Sequence, residues 1–200
     1  YSNILSKKEV QDMIHMAILG AGNIAQAMAK TVNGMVAAGN KDIALYAVAA
    51  REEARAQEFA DRFCIPKAYG SYEAMLSDPE VDLVYVATPH SHHAAHMKLC
   101  IEHGKAALCE KAFTANAQQA EECLTLAKER GVLVTEAIWT RYMPYRKLLN
   151  DLIAEGVIGT PWVLTANLGY VIENVPRMRM PELAGGALLD LCVYPLNFAA

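Results

Sequence analysis

No two cysteines in this chain are spaced as C-x-x-C. The five present, Cys64, Cys100, Cys109, Cys123 and Cys192, are odd in number and widely separated. That argues against a disulfide framework or a cysteine-built zinc site, and for reduced thiols in a cytoplasmic setting. No apolar run approaches the ~20 residues of a membrane-spanning helix, and the polar opening YSNILSKKEVQDMIHM does not read as a signal peptide. Basic excess is also missing: 18 Lys and Arg against 22 Asp and Glu leave a net charge of -4, so nothing electrostatic points to nucleic acid. What the 200 residues do have is 54% hydrophobic and 20% charged side chains. That composition fits a soluble globular protein with one good core, or one domain and part of another.

Strand and helix patterns alternate along the chain. His15–Gly20 (HMAILG) and Ile43–Ala49 (IALYAVA) read as strands, each followed by a helix: the first with apolar positions Ile24, Met28, Val32 and Met35, the second over Glu52–Phe63. A weak strand at Lys67–Tyr69 and a short helix at Tyr72–Ser77 lead to the strong strand Asp82–Ala87. Helix His92–Glu102, strand Ala106–Glu110, helix Ala117–Arg130 and strand Val132–Glu136 complete the series. Such βαβ repetition predicts a doubly wound, mostly parallel sheet of Rossmann type, with ligands at the carboxyl ends of the strands. The expected organisation is an N-terminal extension over 1–14, a dinucleotide-binding domain over 15–138, and the beginning of a second domain over 139–200. In that second part the helix bearing Leu148, Leu149, Leu152 and Ile153 is amphipathic core, and PWVLTANLGYVI reads as a strand.

The chemistry-bearing motifs fall at the strand ends. GAGNIA, Gly20–Ala25, opens a helix directly after the first strand. Gly20 and Gly22 permit a tight turn, and the backbone amides from Asn23 and Ile24 onward can approach a pyrophosphate at a helix N-terminus. The second strand ends in AVAAR, with Arg51 where a carboxylate would accept the ribose hydroxyl of NAD. An arginine there suits the 2′-phosphate of NADP, with NAD through Glu52 as the alternative. VYVATPHSHH places Ala87, Thr88, Pro89, His90 and His93 at the nicotinamide side of the same edge. His92 and His96 are four apart on a helix and could face one metal ion, but no carboxylate or cysteine nearby completes a ligand set, and no metal is expected. AALCEKAFT ends a buried strand in the adjacent charges Glu110 and Lys111, which a sheet interior would not accept unpaired.

Taken in order, GAGNIA, ATPHSHH, CEKAFT, EAIWTRYMP and GGALLDLCVYPL resemble the glucose-fructose oxidoreductase/inositol dehydrogenase family. The likeness is greatest to its dimeric dihydrodiol dehydrogenase and NADP-dependent D-xylose dehydrogenase branch, and runs from about His15 to the last residue. The resemblance implies a Rossmann domain followed by an α+β substrate domain on an open antiparallel sheet whose outer face mediates homo-oligomers. It also implies an NAD(P)-dependent oxidoreductase acting on small sugars, polyols or dihydrodiols. Lys111, from the family's EKP motif, would orient the substrate hydroxyl beside the nicotinamide, and Glu110 would fix the lysine or the cofactor ribose. Ala112 replaces the motif's proline, which removes a fixed φ and an easily formed cis bond. Asp190 and Tyr194, four apart, would share a helix face in the cleft, with Tyr194 as general acid/base. A phenol is ordinarily protonated until about pH 10 and needs positive charge beside it to act near neutrality. Cys192 stands where the family has glycine. Trp139 and Arg141 would contact cofactor or substrate, or a buried Trp139 would anchor the domain junction. Family members continue for more than a hundred residues beyond this point, so further strands of the substrate sheet are expected in the natural protein. The rival readings are a non-catalytic NADP-binding sensor on the same scaffold and a metal-dependent hydrolase built on the histidines.

Overall fold

The structure, a computed structural model, describes residues 13–172, 174–175 and 178–200. Most of the expected N-terminal extension lies outside the described residues, and the first strand begins at Ile14, one residue inside it. Six strands, β1 (Ile14–Leu19), β2 (Ile43–Ala49), β3 (Lys67–Tyr69), β4 (Leu83–Val86), β5 (Ala106–Cys109) and β6 (Val134–Glu136), form one sheet in the order β3-β2-β1-β4-β5-β6. Every pairing is parallel. The chain winds outward from β1 to β3, then returns to the other side of β1 to build β4 to β6. The order therefore reverses between β1 and β4, the place where this architecture opens a ligand crevice.

The helices are α1 (Asn23–Ala37), α2 (Glu53–Phe63), α3 (Tyr72–Leu76), α4 (His90–Glu102) and α5 (Ala117–Arg130). Residues of β1 alternate between the two faces. Met16 and Ile18 pack with Ala25, Ala29 and Val32 of α1 and Phe59, Ala60 and Phe63 of α2. Ala17 and Leu19 pack with Met75 and Leu76 of α3, Met97 of α4 and Cys123 of α5. With both faces covered, a residue such as Ile18 is wholly buried, and each such aliphatic side chain contributes about 1.5–3 kcal/mol relative to exposure. The buried stripe of α1 is Ala25, Ala29 and Val32; of the predicted positions Val32 is buried and Met28 packs against the core, while Ile24 and Met35 are exposed. Small alanines let the helix sit close on the sheet, which the bulkier positions would hold away. Helix α4 starts at His90 instead of His92, directly after Pro89.

Beyond β6 come a 3₁₀ turn (Trp139–Tyr142), α6 (Pro144–Ala154), a second 3₁₀ turn (Pro181–Leu183), one π-helical turn (Leu188–Cys192) and α7 (Val193–Ala199). The strand expected in PWVLTANLGYVI is not formed: residues 161–172 carry no regular element, and Trp162 and Val171 are 91% and 94% exposed. A strand requires a hydrogen-bonded neighbour, and none of the described residues supplies one. No helix among the described residues is long and apolar enough to cross a membrane.

Candidate active site

The strands end together, and so do the motifs. Gly20 N donates to Ala49 O (2.9 Å), Ala50 N to Tyr69 O (3.1 Å), Ala87 N to Leu19 O (2.9 Å), Glu110 N to Val86 O (3.0 Å) and Ala137 N to Cys109 O (2.7 Å). This run of bonds across the carboxyl edge brings the loops bearing Gly20, Arg51, Thr88, Lys111 and Trp139 side by side.

At the crevice, Gly20 has φ +104°, and a Cβ there would sit 3.0 Å from Ala87 O and 3.1 Å from Thr88 Cγ2. Only glycine adopts that backbone and that approach without displacement. Gly22 is the N-cap of α1, extended at φ −95°, ψ −172°, and no side chain caps the helix. The first-turn amides of this 15-residue helix, Asn23 and Ile24 among them, therefore face the crevice with the positive end of the helix dipole. A turn closed to any side chain and an uncapped helix start fit the pyrophosphate of a dinucleotide. Beside it, Arg51 and Arg55 are exposed at the start of α2, and Arg55 Nη2 donates to Ala21 O of the glycine turn (3.5 Å). The motif reading missed Arg55. Its position four residues after Arg51 was the available signal, since a second cation one turn along can share a phosphate.

Thr88 and the histidines join the loops after β4 and β5. Thr88 Oγ1 and His96 Nδ1 are 2.9 Å apart. Buried His93 sits between two carbonyls, with Nδ1 2.7 Å from Ala112 O and Nε2 2.7 Å from Thr88 O. Burial lowers the His93 pKa, against the two carbonyls, which favour the protonated ring. Burial also drives His96 down to about 4, so its imidazole is neutral near pH 7. His92 and His96 stack at 5.7 Å, and His92 Nδ1 lies 2.9 Å from Ser91 Oγ.

The paired charges that end β5 part company. Glu110 turns inward, where the hydroxyl of Tyr85 donates to its Oε1 and Lys111 N to its Oε2 (3.2 Å). Burial pushes the Glu110 pKa up, the two hydrogen bonds opposing it. Tyr85 lies mid-strand in β4 and only the packing reveals its part; Glu136 is a similar case, accepting from Phe113 N at 2.8 Å. The Lys111–Ala112 peptide bond is cis, although alanine stands where the motif has proline.

Lys111 reaches across the cleft to a part of the chain 79 residues away. Its Nζ donates to Asp190 Oδ1 at 2.9 Å and to Asp190 O at 2.7 Å. Asp190 is 4% exposed, so the pair is shielded from solvent and strongly coupled. The same ammonium lies 5.1 Å from the centre of the Tyr194 ring, over its face and not at its hydroxyl. The Tyr194 hydroxyl instead accepts from Trp139 Nε1 at 3.2 Å. Trp139 is 57% exposed, a wall of the cleft and not a buried anchor. Arg141 lies on the same 3₁₀ turn, its charge acting on Glu136. Asp190 lies in the π turn that runs into α7, which carries Tyr194, and Asp190 N donates to Gly186 O (3.2 Å).

A glycine turn and an uncapped helix start at a topological switch point, with a lysine, a carboxylate and a tyrosine gathered on the same carboxyl edge, mark a nucleotide-binding protein of Rossmann type. Residues 14–138 match the GFO_IDH_MocA family, described as an oxidoreductase family with an NAD-binding Rossmann fold, and the chain belongs to it. It is 39% identical to a trans-1,2-dihydrobenzene-1,2-diol dehydrogenase of Mus musculus, over 92% of this chain and 55% of that protein. It is 46% identical to a D-xylose 1-dehydrogenase (NADP(+)) of Hypocrea jecorina, over 72% of this chain and 40% of that one. Among solved structures, a 3-ketoreductase of Actinomadura kijaniata in complex with NADP and TDP-benzene superposes with a TM-score of 0.78 at 28% identity, covering 94% of this chain and 56% of that chain. The chain thus spans about half the length of the relatives it matches.

Proposed function

We propose that the protein is an NADP-dependent oxidoreductase that interconverts a secondary alcohol and a carbonyl on a sugar, cyclic polyol or trans-dihydrodiol. The observation that carries the reading is the convergence on Lys111, at the carboxyl end of β5, of Asp190 from the π turn and Tyr194 from α7, 79 and 83 residues further along the chain. NADP, when bound, supplies the hydride acceptor or donor.

The chain's own residues supply the rest. Gly20, Gly22 and the first turn of α1 hold the pyrophosphate, and Arg51 with Arg55 pairs with the 2′-phosphate, where guanidinium geometry is matched to a phosphate. Ala87, Thr88 and Pro89 line the nicotinamide side of the crevice. The Lys111 ammonium, with two donors committed to Asp190, turns its remaining N–H towards the substrate oxygen and holds it in the cleft. Tyr194, fixed through its hydroxyl by Trp139, takes the alcohol proton during oxidation and returns it during reduction. Asp190 keeps the lysine aimed, through its carboxylate and its backbone carbonyl. The NADP link of the Hypocrea jecorina enzyme and the NADP-bound Actinomadura kijaniata structure support the cofactor choice. The reading carries with it a homo-oligomer working in the cytoplasm.

The test is the change in reduced-nicotinamide absorbance when the complete natural chain meets NADP or NAD with a panel of aldoses, inositols and dihydrodiols. Turnover with NADP supports the reading. Turnover with NAD alone overturns the role of Arg51, and tight NADP binding without turnover on any compound replaces the enzyme with a sensor.

A further inference from the structure

His90 was expected at the cofactor edge, yet its ring is nearly buried and turned towards the junction of the two parts of the chain. Its Nε2 lies 3.1 Å from Lys111 O and its Nδ1 3.4 Å from Ala184 O. The same Nε2 lies 3.9 Å from Asp190 Oδ1. One imidazole thus touches the backbone of the lysine, the turn that leads into the π helix, and the carboxylate that the lysine binds. His93, one turn along α4, grips the next carbonyl, Ala112 O, at 2.7 Å, and the two rings meet edge to face at 5.6 Å. Two consecutive carbonyls of the lysine loop are therefore held by two histidines of one helix.

We propose that His90 is a positioning residue for the Lys111–Asp190 pair, and not a ligand of the nicotinamide. The inference rests on the reading of Lys111 as the group that orients the substrate oxygen. A lysine side chain has four rotatable carbons, so the place of its ammonium depends on where its backbone is anchored. The shorter contact assigns the Nε2–H donor to Lys111 O, which pins the base of the side chain, while Nδ1, an acceptor in that tautomer, packs against Ala184 O without a hydrogen bond and the Nε2 edge faces Asp190 Oδ1. A single ring then sets how far apart the lysine and the aspartate can stand. Catalytic geometry is sensitive at this scale, since a displacement of about 1 Å costs on the order of 100-fold in rate.

The experiment is a double-mutant cycle on the complete natural chain, with kcat, KM for NADP and melting temperature measured for each variant. His90→Gln keeps an amide donor within reach of the Nε2 position, His90→Asn places one nearer Nδ1, and His90→Leu fills the space with no donor. The expected result is a fall in kcat of about 10- to 100-fold for His90→Leu, little change in KM for NADP, substantial recovery in His90→Gln, and none in His90→Asn. In a Lys111→Met background His90→Leu should cause no further loss, because it acts through the lysine. The inference is overturned if His90→Leu keeps the parental kcat, if His90→Gln is no better than His90→Asn, or if the two losses multiply. Should His90→Leu fail to fold, the Gln and Asn pair decides alone. Near-normal turnover in Lys111→Met by itself overturns the reading of the lysine, a different failure.

Discussion

Replacing Gly20 with alanine tests the nucleotide crevice from two sides. The residue sits at φ +104°, and an added Cβ would meet Ala87 O at 3.0 Å and Thr88 Cγ2 at 3.1 Å. The backbone conformation alone costs an L-residue about 1–3 kcal/mol. The carbonyl it meets belongs to Ala87, one residue past β4 and tied to β1 by its own N–H, which donates to Leu19 O at 2.9 Å, so it yields poorly, and overpacking of this kind adds about 1–3 kcal/mol. Allowing for partial relief of one by the other, Gly20→Ala should destabilise by about 3 kcal/mol, which for a chain of this size is a fall of about 6–12 °C in melting temperature. Gly22→Ala is the internal control: its Cβ would come no nearer than 3.9 Å to Ala87 O, at an ordinary φ. It should melt within about 2 °C of the parent while binding NADP more weakly, because the added methyl narrows the approach to the α1 amides. Thermal unfolding by circular dichroism, paired with NADP titration by calorimetry, reads both effects. A Gly20→Ala protein melting with its parent, or a Gly22→Ala protein binding NADP with parental affinity, would refute the reasoning about this turn.

Three further outcomes are expected. Arg51→Ala and Arg55→Ala should each weaken NADP by about 10- to 100-fold, the worth of a charge-assisted hydrogen bond at about 1.5–3 kcal/mol, and leave NAD affinity nearly unchanged; equal losses for both cofactors would remove the 2′-phosphate assignment. Glu110 has a folded-state pKa raised above its unfolded value of 4.5, so the native state holds its proton longer. Stability from this group is present below that pH and lost as pH rises through the folded value. The stability gap between the parent and Glu110→Gln should therefore shift in favour of the glutamine as pH increases from 4.5, and a constant gap in urea titrations would falsify the assignment. His96, held down to about 4 by burial, should show an NMR titration midpoint near that value, with the stability it contributes present above about pH 6.5 and lost as pH falls towards 4; a midpoint near 6.5 would mean the ring is hydrated.

The reach of sequence reading followed how local each cause is. Strand β2 and helix α5 were placed to the residue, because IALYAVA is an uninterrupted buried-strand run and because Asn116 caps α5, its side chain accepting from Gln119 N at 3.0 Å. The GAGNIA turn was equally plain, since its glycines answer to backbone geometry. Partners brought by tertiary folding were not: Tyr85 looks like any core aromatic until the sheet sets it beside Glu110, and Arg55 looks like surface charge until α2 turns it to Ala21. The extended reading of residues 161–172 failed for the converse reason, as an apolar stretch becomes a strand only when another backbone lies alongside. The meeting of Lys111 with Asp190 was legible through motif order, while the π turn that delivers it was not.

The flush carboxyl edge of the sheet also acts as a ruler. Between the end of β2, with Arg51, and the end of β5, with Lys111, lie the spaces β2-β1, β1-β4 and β4-β5, each of about 4.8 Å. That span is fixed by backbone hydrogen bonds and not by side chains, so core residues can be exchanged without altering the distance between the Arg51 end and the Lys111 end. Under the proposed function, substrate preference can then change through loops on the second part of the chain while the cofactor keeps the same seat, and only a register slip or a lost strand would change the measure.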